Sequence, residues 1–226
     1  MNILAIETAT PACAVALGTS DGAERELLVD EERHHTEALT PGIERLLRDA
    51  GLAARAIERV VVDRGPGLFT GLRVGLATAV GLSLGANAEL VSVTSLEVLA
   101  HGAHSAGVRG VVVCAVDARR GELFVQSFSL GDEVLVLDGA AVTVPSAVVA
   151  RWKESDVPVT FSGDGAARYE TLLRTVDAAT FFDQLVPPPI EALRLGTSRA
   201  PEAGVVPLYL READAVANFS TRERSV

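Results

Sequence analysis

The hydrophobic positions along the chain form short runs and helical repeats, which predict an alternation of strands and helices. Uncharged runs of four to six residues are typical of buried strands, whereas apolar residues three and four positions apart indicate a helix. In the first half these patterns predict strands at Asn2–Ile6, Ala12–Leu17, Glu24–Asp30, Val60–Val62 and Leu90–Val93, and helices at Thr36–Ala50, Gly71–Gly85 and Ser95–His104. Pro41 leaves the start of the first helix open, because it fits either the first helical position after Thr40 or a kink after a start at Thr36.

The helix predicted over Gly71–Gly85 is apolar nearly all round. It follows the loop 65–67, begins after the N-cap candidate Thr70, and carries no charge beyond Arg73. A helix that is apolar on every face is expected to be buried on every face. Its uncharged segment is short for a membrane span, which takes about 20 residues. Small residues at four-residue spacing indicate close contacts on two sides, one with the sheet and the other with the helix Thr36–Ala50 or another chain.

The second half of the chain repeats the order of the first. It predicts three strands, a helix, a strand and a helix, followed by a late strand, at Val111–Val116, Glu122–Phe128, Glu133–Leu137, Ser146–Lys153, Val159–Ser162, Ala167–Thr175 and Val205–Leu210. An acid closes the first strand of each half, at Glu7 and at Asp117. We therefore predict an α/β protein of the actin-like ATPase (ribonuclease H-like) fold, with two lobes that are each built on a βββαβα unit with a mixed sheet. The lobes would be residues 1–107 and residues 108–226, the second ending in a polar tail.

Composition narrows the class of protein. Hydrophobic residues make up 48% of the 226 positions and aromatic residues only 4%, so the core must consist of Val, Leu and Ala. The net charge of −10 and the single lysine argue against a protein that binds nucleic acid by itself, because phosphate contacts need clustered Lys and Arg. The N-terminus lacks the basic and apolar regions of a signal peptide, so we expect a cytoplasmic protein. Cys13 and Cys114 lie in apolar runs and are predicted to be reduced core residues.

Few residues offer chemistry, and we predict no cofactor. The candidates for a nucleotide or metal contact are Glu7, Thr8, Asp117, Ser162, Gly163, Asp164 and Gly165. Glu7 and Asp117 close strands where this fold holds acids near metal and phosphate. The turn after Glu7 contains a proline and no glycine, so its backbone is poorly suited to wrap a phosphate. The turn from Ser162 to Gly165 suits a nucleotide better, although an ordinary turn capped by Asp164 is favoured.

Other motifs of catalytic proteins are incomplete. The loop from Gly65 to Gly71 has no Lys-Ser/Thr pair after its last glycine, and it misses the dinucleotide fingerprint by one residue. The four histidines, His34, His35, His101 and His104, do not have the spacing of a metal site. We therefore predict neither catalytic nor metal-ligating residues.

Several motifs closely resemble those of the bacterial TsaB (YeaZ) family. They are Ile3-Leu4-Ala5-Ile6-Glu7-Thr8-Ala9-Thr10, His35-Thr36-Glu37, Arg64-Gly65-Pro66-Gly67-Leu68-Phe69-Thr70-Gly71-Leu72-Arg73, Asp117-Ala118-Arg119-Arg120-Gly121-Glu122 and Pro207-Leu208-Tyr209-Leu210-Arg211. The resemblance spans essentially the whole chain, and the glycine loop with its helix is its most specific part. Glu7 stands where the family usually has Asp, which weakens a metal or phosphate role at that position.

The resemblance implies a small, degenerate relative of TsaD. Such a protein is required, with TsaD and TsaE, to form threonylcarbamoyladenosine next to the anticodon of tRNAs that read codons beginning with A. TsaD carries the metal, the nucleotide site and the transfer chemistry, so the implied role is a non-catalytic platform that meets tRNA only through the complex and has no membrane partner. The alternatives are an independent ATP-hydrolysing enzyme that uses Glu7 or Asp117 with magnesium, and a glycoprotease-like metallopeptidase.

The resemblance also implies where partners bind. The family pairs through the two helices of the N-terminal lobe, with TsaD or with a second copy when the chain is alone. Carried over to this sequence, the partner surface would draw on Leu39, Ile43, Leu46, Leu47, Leu72, Leu76 and Val80.

Overall fold

A computed structural model of the chain describes residues 1–29 and 35–211. Its strands are β1 Ile3–Glu7, β2 Cys13–Gly18, β3 Glu24–Val29, β4 Arg59–Asp63, β5 Glu89–Val93, β6 Gly110–Arg119, β7 Glu122–Leu130, β8 Val134–Val136, β9 Ala141–Thr143, β10 Val159–Ser162 and β11 Thr180–Phe182. Its helices are α1 His35–Asp49, α2 Phe69–Ala86, α3 Ser95–Ser105, α4 Pro145–Lys153, α5 Asp164–Arg168, α6 Glu170–Leu173 and α7 Pro189–Thr197.

The strands form two mixed sheets with the same internal order. The first sheet has the order β3-β2-β1-β4-β5, in which β1 is antiparallel to β2 and parallel to β4. The second has the order β8-β7-β6-β10-β11, in which β6 is antiparallel to β7 and parallel to β10. The duplicated two-lobed α/β architecture predicted from the pattern of strands and helices is thereby confirmed.

Helices cover the first sheet on both faces. The apolar side chains of α1 and α2 form one core with β1, β2 and β4. On the opposite face, Val98 of α3 and Ala192 and Leu193 of α7 pack on alternate residues of β1, β4 and β5. The remaining apolar side chains of α3 belong to the core of the second sheet, so α3 lies between the two sheets.

Helix α7 belongs to the second half of the sequence but packs on the first sheet. Arg59 on β4 is buried and anchors the end of this helix. Its Nη1 donates hydrogen bonds to the carbonyl oxygens of Gly196 and Thr197, at 2.6 and 2.7 Å, and its Nε donates to a carboxylate oxygen of Glu89 at 2.9 Å. The boundary proposed between residues 107 and 108 stays a prediction. A helix from the second half of the sequence packs on the sheet formed by the first half.

Some expected elements differ in the structure. Helix α7 was not predicted, because the run of three prolines looked like an interruption, whereas Pro189 begins the helix. The expected strand Val205–Leu210 has no ladder; its Leu208 makes one backbone hydrogen bond, to the carbonyl oxygen of Arg64. The helix expected over Ala167–Thr175 is divided into α5 and α6. The short strands β9 and β11 were also missed.

The starts of α1 and α2 settle two further expectations. Helix α1 begins at His35, so Pro41 lies inside it, which agrees with the early start at Thr36 rather than a cap at Thr40. Helix α2 begins at Phe69 and not at Gly71, and within the described chain no side chain caps its first turn. Thr70 is therefore a helical residue and not an N-cap. Asp30 and the polar tail from residue 212 lie outside the described residues.

Candidate functional site

A cleft between the two lobes lies where the turn after β1 and the start of α2 face the end of β6. It encloses a cavity of about 840 Å³, a volume typical of sites for small ligands. Among the lining residues are Pro11, His35, Phe69 and Thr70 from the first lobe and Asp117, Arg119, Phe124 and Arg211 from the second half of the chain. Of the predicted nucleotide or metal contacts only Asp117 lines this cavity. Glu7 and Thr8 are fully buried behind it.

The turn after β1 is closed by the backbone of α2. Leu68 N–H, just before the helix, donates a hydrogen bond to the carbonyl oxygen of Ala9 at 2.7 Å. A Cβ added at Gly71 would overlap the carbonyl oxygen of Thr8, and one added at Gly75 would overlap the Thr8 hydroxyl oxygen. The glycines of this motif therefore serve close packing of α2 on the turn, as expected. The space beside Thr8 is filled by protein.

Glu7 and Asp63 form a buried carboxyl pair at the ends of β1 and β4. Both are fully buried, and Glu7 Oε2 and Asp63 Oδ2 are buried without a hydrogen-bond partner among the described residues. Glu7 Oε1 also accepts a hydrogen bond from Ala9 N–H at 2.7 Å, and Asp63 Oδ1 accepts one from Gly65 N–H at 2.7 Å and one from Ser95 Oγ at 3.0 Å. Burial raises the pKa of Glu7 well above its ordinary value, and the Asp63 charge raises it further. Burial raises the pKa of Asp63 as well.

This pair holds both ends of the loop that precedes α2. Asp63 binds the start of the loop at Gly65, and Glu7 binds Ala9, which in turn binds Leu68. The groups are directed at the backbone of the loop and at each other. Glu7 thus has a structural role in the described chain, and its contacts do not include the cleft.

Asp117 lines the cleft, and its carboxylate is engaged by cations. Its Oδ1 accepts a hydrogen bond from the backbone N–H of Arg119 at 2.9 Å, and its Oδ2 accepts one from Arg119 Nη1 at 3.0 Å. Arg168 Nη1 lies 3.5 Å from the same Oδ2. The carboxylate therefore organises arginines at the mouth of the cleft.

The turn from Ser162 to Gly165 packs against β6. A Cβ at Gly163 would overlap the carbonyl oxygen of Ala115, and one at Gly165 would overlap the backbone of β6 near Asp117. Asp164 Oδ1 accepts a hydrogen bond from the backbone N–H of Asp117 at 3.0 Å. Asp164 therefore binds the backbone of the neighbouring strand. The expectation that Asp164 caps its own helix is wrong, because the N-cap residue is Gly163. Burial raises the pKa of Asp164.

Neither histidines nor cysteines assemble a metal site in the part of the chain that the structure describes. Within residues 1–29 and 35–211 there is no group of three or more His, Cys, Asp or Glu side chains placed to hold a metal ion. His35 Nε2 lies 3.0 Å from a backbone carbonyl oxygen of the turn after β1, and His104 Nε2 lies 3.0 Å from that of Gly131. His34 lies outside the described residues.

Both cysteines are free and buried in the sheets. Burial raises the pKa of the Cys13 thiol to about 11 and raises that of Cys114 further. The thiol form therefore dominates at neutral pH, and thiolate chemistry is disfavoured at both positions. They are core residues, as predicted.

Six of the seven residues predicted for the partner surface are buried inside the first lobe. Each is at most 5% exposed and packs in the core that α1 and α2 form with the first sheet: Leu39, Ile43, Leu46, Leu47, Leu72 and Leu76. This corrects their assignment, because side chains that hold the helices on the sheet are not available to another chain. Val80 is half-buried.

A different face of α2 is exposed. Leu84 is 80% exposed and Phe69 is 40% exposed, and Arg73, Ala77 and Gly81 lie between them at helical spacing. Arg73 is the only charged residue of the helix. The expectation that α2 is buried on every face is therefore wrong for the described chain. By length and composition alone α2 is apolar enough to cross a membrane, a property that buried helices of soluble proteins share.

Comparison with known proteins gives consistent matches over the chain. The family model for TsaD, tRNA N6-adenosine threonylcarbamoyltransferase, matches residues 30–198. The tRNA threonylcarbamoyladenosine biosynthesis protein TsaB of Bacillus subtilis is 30% identical over 97% of this chain and 98% of its own length. TsaB of Escherichia coli is 40% identical over 55% of this chain and 53% of its own length.

Solved structures agree with these matches. YeaZ from Pseudomonas aeruginosa has a TM-score of 0.76 and 27% identity, covering 92% of this chain and 99% of that one. A protein from the same organism, described as similar to peptidase YEAZ, has a TM-score of 0.80 and 29% identity over 93% of this chain and 99% of its own. Component A of (R)-2-hydroxyglutaryl-CoA dehydratase from Acidaminococcus fermentans shares the fold alone, with a TM-score of 0.50 and 9% identity over 87% of this chain and 96% of its own.

Proposed function

The chain belongs to the TsaB (YeaZ) family of tRNA threonylcarbamoyladenosine biosynthesis proteins, and on that premise we propose that it is the non-catalytic platform of this reaction. In this proposal a TsaD partner, joined by TsaE, carries out the transfer that forms N6-threonylcarbamoyladenosine in tRNAs that read codons beginning with A. The chain itself acts in the cytoplasm by binding and supporting TsaD.

The arrangement of α2 is the observation that carries this proposal. The inner face of the helix closes the turn after β1, where the fold would otherwise offer its backbone to a phosphate. The outer face presents an apolar strip, from Phe69 to Leu84, whose single charge is Arg73. A strip of this kind is typical of a protein–protein contact. One helix therefore accounts both for a lost nucleotide contact and for a docking surface.

The docking surface is tested by a charge on the exposed end of α2. We expect Leu84→Glu to weaken association with the TsaD of the same organism at least tenfold, because an unpaired charge would be buried on binding. Leu135→Glu is the matched control, since Leu135 is also exposed, at 57%, but lies on the second sheet. Size-exclusion chromatography and calorimetry of the two proteins give the affinities. Equal affinities for the two variants would contradict this surface, and absence of any complex at micromolar concentration would contradict the platform role.

The same face would pair two copies when TsaD is absent. The small residues Ala77, Gly81 and Gly85 allow close approach of a second helix, and both Ala77 and Gly81 are exposed. In this proposal a homodimer and the TsaD complex exclude each other. Adding TsaD should therefore convert a dimer into a heterodimer in analytical ultracentrifugation, whereas a larger species that contains both would show that the surfaces are separate.

A second candidate function is an independent ATP-binding enzyme. Only the size of the cleft, about 840 Å³ with Asp117 on its wall, favours it. Calorimetry with ATP and magnesium on the isolated chain decides the matter. Tight binding with turnover, abolished by Asp117→Asn, would support this candidate over the platform.

A further inference from the structure

The segment that follows α7 brings a tyrosine onto the outer face of α2. We call this segment, residues 198–211, the strap. Two backbone hydrogen bonds fix its course: Glu202 N–H donates to the carbonyl oxygen of Leu90 on the edge strand β5 at 2.8 Å, and Leu208 N–H donates to that of Arg64 at 2.7 Å. The strap therefore passes the first turn of α2 in a defined position.

Three side chains meet at this turn, and we call them the docking anchor: Phe69, Arg73 and Tyr209. The rings of Phe69 and Tyr209 stack with their centroids 5.2 Å apart. The guanidinium carbon of Arg73 lies 3.7 Å from the centre of the Phe69 ring, and Arg73 Nε donates a hydrogen bond to the Tyr209 hydroxyl oxygen at 3.2 Å. Phe69 is 40% exposed and Tyr209 is 44% exposed. The strap thus adds a residue to the exposed face of α2.

Arg73 has no carboxylate partner within residues 1–29 and 35–211. Arg59, Arg119 and Arg211 each have a guanidinium nitrogen at 3.0 Å or less from a carboxylate oxygen. The contacts of Arg73 are instead an aromatic ring and a hydroxyl group, both of which are uncharged. In the free chain the charge of Arg73 therefore depends on water for its solvation.

Docking on this face would remove that water. The proposed docking face runs along α2 from Phe69 to Leu84, and Arg73 is its single charge. A guanidinium that is buried without an anionic acceptor strongly opposes binding. A carboxylate matches the planar guanidinium best, because it accepts two parallel hydrogen bonds. Phe69 and Tyr209 hold the group in place before binding, which lowers the entropic cost of forming such a pair.

We propose that the docking anchor receives a carboxylate of the TsaD partner, and that Tyr209 of the strap positions Arg73 for it. The proposal rests on the proposed function and names the chemistry of the partner at this face, an Asp or Glu side chain set among apolar residues. A second copy of the chain fits less well, because its α2 contains neither Asp nor Glu. Arg73 is thus a specificity residue that favours TsaD over self-association.

The test measures the affinity of the full chain for the TsaD of the same organism by calorimetry between 50 and 200 mM KCl. The anchor variant is Arg73→Met, which keeps a long apolar side chain and removes the charge. The matched control is Arg109→Met, because Arg109 is also exposed but lies between α3 and β6, outside the strip. Tyr209→Phe keeps the ring and removes the hydroxyl oxygen that accepts from Arg73. Circular dichroism checks that each variant is folded.

The sign of the change in Arg73→Met decides the question. We expect it to bind TsaD about tenfold more weakly, because the carboxylate of TsaD loses its partner, and to show a smaller dependence on KCl. Opposite a surface without a carboxylate, Met would bind as tightly as Arg or more tightly, since a desolvation cost disappears. Tyr209→Phe should weaken binding about threefold and keep the salt dependence of the wild type, because the charge pair remains.

A charge swap then identifies the carboxylate. Arg73→Glu should abolish binding, and replacing one exposed Asp or Glu of TsaD by Arg should restore it. Restoration by none of them would overturn the proposal, as would equal losses in Arg73→Met and Arg109→Met. If Leu84→Glu weakens binding and Arg73→Met does not, the docking face stands and the carboxylate proposal fails. If the wild-type chain and TsaD form no complex, the proposed function fails as well, so the two failures are distinguishable.

Discussion

Replacing Glu7 by Gln should make the free energy of unfolding less dependent on pH. In the folded protein, burial and the neighbouring Asp63 charge raise the pKa of Glu7 and so favour its protonated form. Gln is neutral at every pH, and its oxygen can still accept the hydrogen bond from Ala9 N–H that Glu7 Oε1 accepts at 2.7 Å. The hydrogen bond that holds the turn before α2 is therefore kept, while the titratable group at position 7 is removed.

The sign of the effect follows from the raised pKa. A carboxyl group with a raised folded pKa binds more protons in the folded than in the unfolded protein, so the free energy of unfolding falls as pH rises. The stability is fully present below the ordinary Glu pKa of 4.5 and is lost progressively up to the raised folded pKa of Glu7. One proton changes the free energy of unfolding by about 1.4 kcal/mol for each pH unit in this window. The free energy of unfolding of the Gln variant does not decrease with pH in this way.

Urea unfolding followed by far-UV circular dichroism, at pH values from 5 to 8, measures the difference. We expect the difference in free energy of unfolding, Glu7→Gln minus wild type, to increase by about 1.4 kcal/mol for each pH unit at the acidic end of this range. Glu26→Gln, on the exposed strand β3, is the control and should follow the wild type. Parallel profiles for the wild type and Glu7→Gln would refute the raised pKa of Glu7.

Three further substitutions and one thiol reaction probe the rest of the fold. Gly71→Ala should destabilise the protein by about 3 kcal/mol, because its Cβ overlaps the Thr8 carbonyl oxygen, whereas Gly81→Ala, in open space, should stabilise the monomer by about 0.5–1 kcal/mol in thermal or urea unfolding. Arg59→Met should cost about 2–3 kcal/mol in urea unfolding, since it leaves the carbonyl oxygens at the end of α7 without their donor. Cys13 should resist a thiol reagent at pH 8 in the native protein and react fully in urea; rapid native labelling would contradict its burial.

The fold could be predicted largely from the spacing of apolar residues. Strands such as Asn2–Ile6 are uncharged because the sheets are covered on both faces, and this signal is local. Helix α7 was missed because Pro189 marks the first turn of a helix as readily as a break in the chain. Strands of three residues, β9 and β11, carry too little pattern to be distinguished from turns.

The candidate sites could be predicted less well. The apolar residues of α1 show a clear helical stripe, but a stripe identifies a packed face and does not say whether the sheet or another chain packs on it. Leu39 and Leu46 were therefore expected at the partner surface, although both are buried in the core. The exposed end of α2 at Leu84 could not be recognised, because that helix is apolar all round. Residues distant in sequence, such as Arg73 and Tyr209, are in contact only through the tertiary fold.

Because α7 packs on the first sheet, it limits how the chain could be divided into fragments. Ala192 and Leu193 cover Ala5, Val61 and Val91, which lie on the face of the first sheet opposite α1 and α2. A fragment that ends near residue 107 would therefore expose this apolar face to water. Neither half could be exchanged for the corresponding half of a relative without bringing a matched α7, so the duplicated lobes are expected to evolve as one unit.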